Sequence, residues 1–171
     1  MENIYNDSDY LNIVDDILYN NEFKKIDSSV HHGLSRLDHS LRVSYYSYKI
    51  SKIFFLNYKE VARAGLLHDF FISKGTDPKE RTISMFVHPK KALKNSNKLF
   101  NLSEKEKNII EAHMFPIVPN KIPKYMESWI VSLVDKAVAT YEFSYSYSTK
   151  ALCKISNAYL VSILLLLRLG L

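Results

Sequence analysis

Apolar residues recur along this chain at three- and four-residue intervals, and nowhere do they alternate at period two over the length of a strand. The pattern predicts an all-α fold, a compact helical bundle of about seven or eight helices in one domain. Helices are expected at about 8–21 and 36–55, the second with Ser35 as N-cap and Asp38 in its first turn. Another is expected at 58–69, where Asn57 and Glu60 resemble a capping box. Gly75-Thr-Asp-Pro78 reads as a turn into a short helix ending near Met85, and Pro89 reads as the start of the next helix, with His88 at its mouth. Ser103-Glu-Lys-Glu106 is a full capping-box pattern opening a helix to His113-Met114. Pro116, Pro119 and Pro123 then predict an extended loop, followed by helices at about 124–143 and 149–169. Residues 27–33 read as a loop.

Composition narrows the class without changing it. The chain has 171 residues, 47% hydrophobic and 24% charged, enough for one domain spanning 1–171 with a substantial core. Only 4 glycines and 5 prolines occur, which favours helices over turn-rich β architecture. The N-terminus lacks a basic start and an apolar core, so no secretory signal is read. The single cysteine, Cys153, sits in an apolar segment and reads as core; with no internal disulfide to form, a cytoplasmic location is expected. The formal charge of +5 comes from lysines scattered through the second half of the chain. That distribution reads as a solvated surface that attracts small anions, and specific nucleic-acid binding is not expected.

The chemistry lies in residues that this pattern directs inward. Asp135 sits in Trp129-Ile-Val-Ser-Leu-Val-Asp-Lys-Ala-Val-Ala-Thr-Tyr141, whose apolar positions 130, 133, 134, 137, 138 and 141 recur at helical spacing. His68-Asp69 closes the apolar run Val61-Ala-Arg-Ala-Gly-Leu-Leu67. His113 follows Ile109 and Ile110 by one turn, and His39 precedes Val43 and Tyr46 on the same helical side. Unpaired buried carboxylates cost several kcal/mol, so something positive must meet Asp69 and Asp135. Imidazole and carboxylate are ligands for intermediate divalent metals. His39, His68, Asp69, His88, His113 and Asp135 are more than one tetrahedral centre needs and suit two ions sharing a carboxylate.

Taken in order, Ser35-Arg-Leu-Asp-His39, Ala64-Gly-Leu-Leu-His68-Asp69 and Leu133-Val-Asp135 resemble the HD-domain superfamily of metal-dependent phosphohydrolases, over roughly residues 30–143. The resemblance implies a first metal held by His39, His68, Asp69 and Asp135. It also implies a second on His88 and His113, with Asp69 bridging. The spacing is most similar to small bacterial two-metal hydrolases that split dinucleoside polyphosphates. One position departs: many two-metal members carry a lysine three residues after the paired Asp, where this chain has Ile72, with Lys74 two further on.

The implied activity is hydrolysis of a phosphoester or phosphoanhydride in a nucleotide-like substrate through a metal-activated water. Two divalent ions of iron, manganese, cobalt, nickel or zinc would be the cofactors, and Asp69 and Arg36 the catalytic residues. Arg36, one turn before His39, is expected to orient a phosphate through its planar fork. Arg42, His31, His32, Lys74, Lys90 and Lys91 are further candidates for contact with a phosphorylated small molecule, with His32, Lys74 and Lys91 carried forward as substrate-binding. Tyr141, Tyr145 and Tyr147 read as packing residues that could stack a base. Two alternatives stand beside this reading: a non-catalytic nucleotide-sensing or interaction module, and a di-iron oxygenase using the same ligands. The apolar run 158–171 is too short before Arg168 to span a bilayer. It is expected to pack against the domain or a partner subunit, a homodimer through this helix being one expected arrangement; membrane contact is not expected.

Overall fold

The protein, described here by a computed structural model, is a helical bundle. Its backbone is described for residues 2–28, 30–31, 34–72 and 78–168, and its side chains for 4–27, 35–72 and 86–149. The helices are α1 (Glu2–Tyr5), α2 (Ser8–Leu18), α3 (Asn21–Lys24), α4 (Arg36–Ile53), α5 (Tyr58–Leu67), α6 (Pro78–Leu99), α7 (Glu104–Ala112) and α8 (Met126–Arg168). A 3₁₀ turn, Lys25–Ser28, follows α3. The segment expected as a plain loop before α4 contains a two-residue antiparallel ladder, β1 (Val30–His31) with β2 (Leu34–Ser35), in register Val30↔Ser35.

Local chemistry explains the helix starts. Ser35 accepts the Asp38 N–H at the head of α4. At α7, Ser103 Oγ accepts from Glu106 N at 3.1 Å while Glu106 Oε2 accepts from Ser103 N at 2.8 Å, a complete capping box. The α5 cap is only half of one. Asn57 accepts from Glu60 N, but the Asn57 N–H goes to Glu127 on α8 at 3.3 Å instead of back to Glu60. Helix α2 stops at Leu18, earlier than its apolar pattern suggests, because Asn20 accepts the N–H groups of Glu22 and Phe23 and starts α3.

Two expected breaks are absent. Pro89 lies inside α6, so 78–85 and the stretch after Pro89 form one helix of 22 residues with His88 in its interior. Proline removes one helical hydrogen bond and crowds the carbonyl four residues earlier, a local cost that the long helix tolerates here. The helices expected at 124–143 and 149–169 are likewise one helix of 43 residues. Within the serine- and threonine-rich joint, Thr140, Ser144 and Thr149 each donate their hydroxyl to the carbonyl four residues earlier, so these polar side chains are satisfied inside the helix. After α7 the chain runs through turns rather than extending, with Phe115 N donating to Ala112 O and Val118 N to Met114 O.

The core is shared by α2, α4, α5, α7 and α8, with Tyr10, Tyr48, Leu41, Leu66, Ile109, Ile110 and Val131 fully or almost fully buried. Helix α5 is central, packing on α2, α4 and α7. At Gly65 a Cβ would meet the Ser44 backbone at 3.0 Å, so α4 and α5 approach more closely there than a larger residue allows. The inward face of α8 differs from the expected stripe. Val134 and Val138 are buried, but Leu133 is 62% and Tyr141 66% exposed, and the buried row instead includes Ser128, Val131, Asp135 and Glu142. Tyr46, expected inward with His39, is 51% exposed, while Tyr45 and Tyr48 face the core. Among the described residues no helix is long and apolar enough to cross a membrane.

Candidate metal centre

Each of the six inward residues comes from a defined place in this bundle. His39 lies one turn into α4, His68 and His113 are the C-cap residues of α5 and α7, Asp69 follows His68, His88 is inside α6, and Asp135 is on α8. All six are buried. Their ligand-type atoms converge: His39, His68 and Asp69 form one group within 4.8 Å, Asp69, His88 and His113 a second, and His68, His113 and Asp135 a third. These groups could hold a divalent metal.

Hydrogen bonds decide which ring nitrogen faces the centre. His68 Nδ1 lies 2.7 Å from the Gly65 carbonyl and His113 Nδ1 lies 2.8 Å from the Ile110 carbonyl. A carbonyl only accepts, so both Nδ1 atoms carry a hydrogen and both Nε2 atoms are turned to the centre. His68 Nε2 is buried without a hydrogen bond, 3.6 Å from Asp135 Oδ1 and 4.0 Å from Asp69 Oδ2. A buried polar nitrogen between two carboxylates fits a cation better than it fits an empty space. His113 is completely enclosed; burial, with His68 and His88 beside it, pushes its pKa down to about 3, so the ring stays neutral.

His39 stands differently. Its Nε2 is 3.1 Å from Asp135 Oδ1 and its Nδ1 is 2.9 Å from Glu142 Oε2. Burial alone would discharge the ring, but hydrogen bonds to the two carboxylates outweigh it and push the pKa up to about 10. Burial likewise works against the Asp135 carboxylate, and His39 and His68 hold it well below the usual range. The positive charge demanded by Asp135 is therefore supplied by His39 in the metal-free protein.

Asp69 divides its oxygens. Oδ1 is 3.3 Å from His88 Nε2 and 3.9 Å from His113 Nε2, while Oδ2 is 4.0 Å from His68 Nε2 and 3.9 Å from Arg36 Nε. Arg36 is 4% exposed, its guanidinium 3.8 Å above the Phe71 ring and its Nη1 donating to the Phe71 carbonyl at 2.5 Å. Phe71 also stacks on His88 at 5.1 Å, so one ring supports both Arg36 and His88.

The backbone around His113 is tied to α8. Ser132 Oγ donates to the His113 carbonyl at 2.8 Å, and Lys136 Nζ donates to the same carbonyl at 2.7 Å. A second clamp joins the helix starts. Glu127 of α8 accepts from Lys105 of α7 at 2.5 Å and from the Asn57 N–H ahead of α5. Helix α7, which carries His113, is thereby tied to α8 at both of its ends, and the start of α5 is tied to α8 as well.

The remaining sequence candidates fare unevenly. Arg42 does not face the centre; its Nη1 donates to Glu142 Oε1 at 2.6 Å. Lys91 is exposed on α6, three residues after His88, and Lys90 beside it is exposed as well. Tyr141 and Tyr145 stack on each other at 6.3 Å on an exposed face. His32 and Lys74 lie outside the described residues, as do the side chains of His31 and of 150–171. Glu142 and Phe71 were not anticipated. The available signals were positional: Glu142 follows Asp135 by two helical turns and Arg42 follows His39 by one, and Phe71 is two residues after Asp69.

Comparison with curated proteins and with solved structures returns no match. The family model of the HD domain matches residues 36–140, from Arg36 at the head of α4 to beyond Asp135, and the chain belongs to the HD domain family.

Proposed function

We propose that this protein is a metal-dependent phosphohydrolase that holds two divalent ions and cleaves a phosphoester or phosphoanhydride in a nucleotide-like substrate. One observation carries the reading: four buried imidazoles and two buried carboxylates converge from five helical segments, with Nε2 of His68 and of His113 directed inward. His39, His68, Asp69 and Asp135 would hold one ion, and Asp69, His88 and His113 the other. The nitrogen and oxygen donors suit iron, manganese, cobalt, nickel or zinc. Such ions, when bound, lower the pKa of water toward neutrality and neutralise charge developing on a phosphoryl group.

The chain's own residues contribute orientation. Asp69 serves both groups because its two oxygens point to different histidines. Arg36 brings a guanidinium whose plane is fixed by Phe71 and whose Nε makes no hydrogen bond. A planar donor held at that angle suits a phosphate oxygen. Burial lowers the pKa of Arg36 while Asp69 opposes that shift, so the cation persists beside the carboxylate.

Elemental analysis of anaerobically purified protein, followed by a phosphate-release screen across nucleotides and dinucleotides with that metal restored, tests the proposal. Turnover that is lost in Asp69→Ala and strongly reduced in Arg36→Met is expected. Metal-loaded protein that binds nucleotides without turning them over would replace the enzyme with a sensing module. Oxygen consumption with an organic substrate would replace it with an oxygenase.

A further inference from the structure

We infer that Glu142 is a positioning residue for the metal centre: it fixes His39 as an Nε2 ligand and, held from outside by Arg42, sets the strength with which His39 binds metal. The inference rests on the metal-centre reading above and extends it to a residue just outside the matched family span, which ends at 140.

The geometry is specific. Glu142 is fully buried at its side chain, and its two oxygens have separate partners, Oε2 with His39 Nδ1 at 2.9 Å and Oε1 with Arg42 Nη1 at 2.6 Å. His39 and Arg42 are one turn apart on α4, and Asp135 and Glu142 are two turns apart on α8, so the two helices face each other in two rungs. On the inner rung His39 Nε2 meets Asp135; on the outer rung Arg42 meets Glu142, and Glu142 reaches back to the other side of the same imidazole. Among the described residues Glu142 does not belong to any of the converging donor groups, and it reaches the centre through His39.

His68 and His113 donate their Nδ1 hydrogens to neutral backbone carbonyls. His39 alone among these three donates to a carboxylate. An anionic acceptor fixes the tautomer as a carbonyl does and in addition raises the basicity of the opposite nitrogen. Arg42, with 19% of its side chain exposed, connects this pair to the surface and prevents Glu142 from turning out to solvent.

The test uses the full chain loaded with zinc. Two-bond nitrogen–proton spectra of the wild type should show His39 protonated at Nδ1 and ligated through Nε2. Competition with a chromophoric chelator should show zinc affinity falling about 10- to 100-fold in Glu142→Gln, which keeps the shape and an acceptor oxygen but loses the charge. Arg42→Gln breaks the same ion pair and leaves Glu142 beside His39. It should weaken zinc less than Glu142→Gln does, even where the two melt at similar temperatures. Unchanged affinity in Glu142→Gln, or equal weakening in both variants in proportion to lost stability, overturns the inference and leaves Glu142 a packing residue. If Glu142→Gln does not fold, the wild-type spectrum decides: His39 ligated through Nδ1 overturns the proposal. A wild type that takes up no zinc, manganese or iron defeats the metal-centre reading itself, and that result is seen before any variant is compared.

Discussion

His88 Nε2 and His113 Nε2 lie 2.8 Å apart. His113 has its hydrogen on Nδ1, given to Ile110, so its Nε2 accepts from His88 Nε2, and with Asp69 the two rings form a group that could hold a metal ion. That arrangement is separate from the His39–Asp135 pair. The expected stoichiometry is about two metal ions per chain, falling to about one in His88→Ala and His113→Ala. Elemental analysis of well-metallated wild type that saturates at one ion, with both variants unchanged, would reduce the centre to a single-metal site.

Asp69→Ala should lose more metal than His113→Ala. The carboxylate faces His68 through one oxygen and His88 through the other, so its removal takes a donor from each group along with the negative charge between them. Removing the His113 ring leaves His39, His68, Asp69 and Asp135 in place. Metal content measured on folded variants checks the order. Equal loss in the two would contradict a shared role for Asp69.

The clamp at the helix starts carries a pH signature. Burial pushes the Glu127 carboxyl up, but the hydrogen bonds from Lys105 and from backbone N–H groups outweigh it and hold its pKa below the usual range. A depressed carboxyl contributes stability above its unfolded value of about 4.3, and that contribution disappears as pH falls through the lower folded value. Lys105→Met should therefore cost about 1–2 kcal/mol at pH 7. The difference from wild type should shrink below pH 4 in denaturant titrations. A cost that stays constant with pH would mean that Lys105 acts by packing on Tyr125, whose ring it also covers.

Much of this centre is legible in the sequence because its ligands sit where local rules are strong. His39 follows a serine N-cap, and His113 ends a helix opened by a full capping box, so their faces are set by elements that periodicity and capping define. What the sequence conceals depends on contacts across the fold. Glu142, between exposed Tyr141 and Phe143, reads as a surface charge, and Arg42 and His39 on α4 make its burial tolerable. The α8 apolar stripe misleads for a related reason: Leu133 and Tyr141 have the right spacing, but the face turned to α4 is the one that carries Asp135 and Glu142. Pro89 and the serine-rich joint at 144–149 look like breaks because the rules for proline and serine describe average helices. Here α6 continues past its proline, and the α8 hydroxyls return to their own helix.

Gly65→Ala should loosen the centre from behind. The added Cβ meets the Ser44 backbone at 3.0 Å, which forces α4 and α5 apart near His39 and His68, whose ring centroids are 5.4 Å apart. Alanine gains up to about 1 kcal/mol in helix propensity over glycine. Overpacking of about 1–3 kcal/mol opposes it. A net loss of stability with weaker metal binding is expected, read by thermal melting and chelator competition. An increase in melting temperature at full metal affinity would show that the two helices can separate without disturbing the ligands.

Metal removal gives the last prediction, and its size follows from binding linkage. A ligand that binds only the folded state stabilises it by about 2.7 kcal/mol at a hundredfold excess over its Kd. For a chain of this length that is a melting shift on the order of 5–10 °C. Chelation should lower the melting temperature by this amount, and re-adding a competent ion should restore it. The metal-free protein should still fold, because Asp135 is met by His39 and Asp69 lies beside Arg36. Asp135→Asn should then lower the melting temperature of the metal-free protein, since it removes the carboxylate from a buried pair whose disruption costs on the order of 3 kcal/mol. It should also abolish most of the recovery on adding metal. If the variant melts higher than wild type without metal, the His39–Asp135 pair is a net cost that only the ion offsets, and the charge compensation argued from their 3.1 Å contact is wrong.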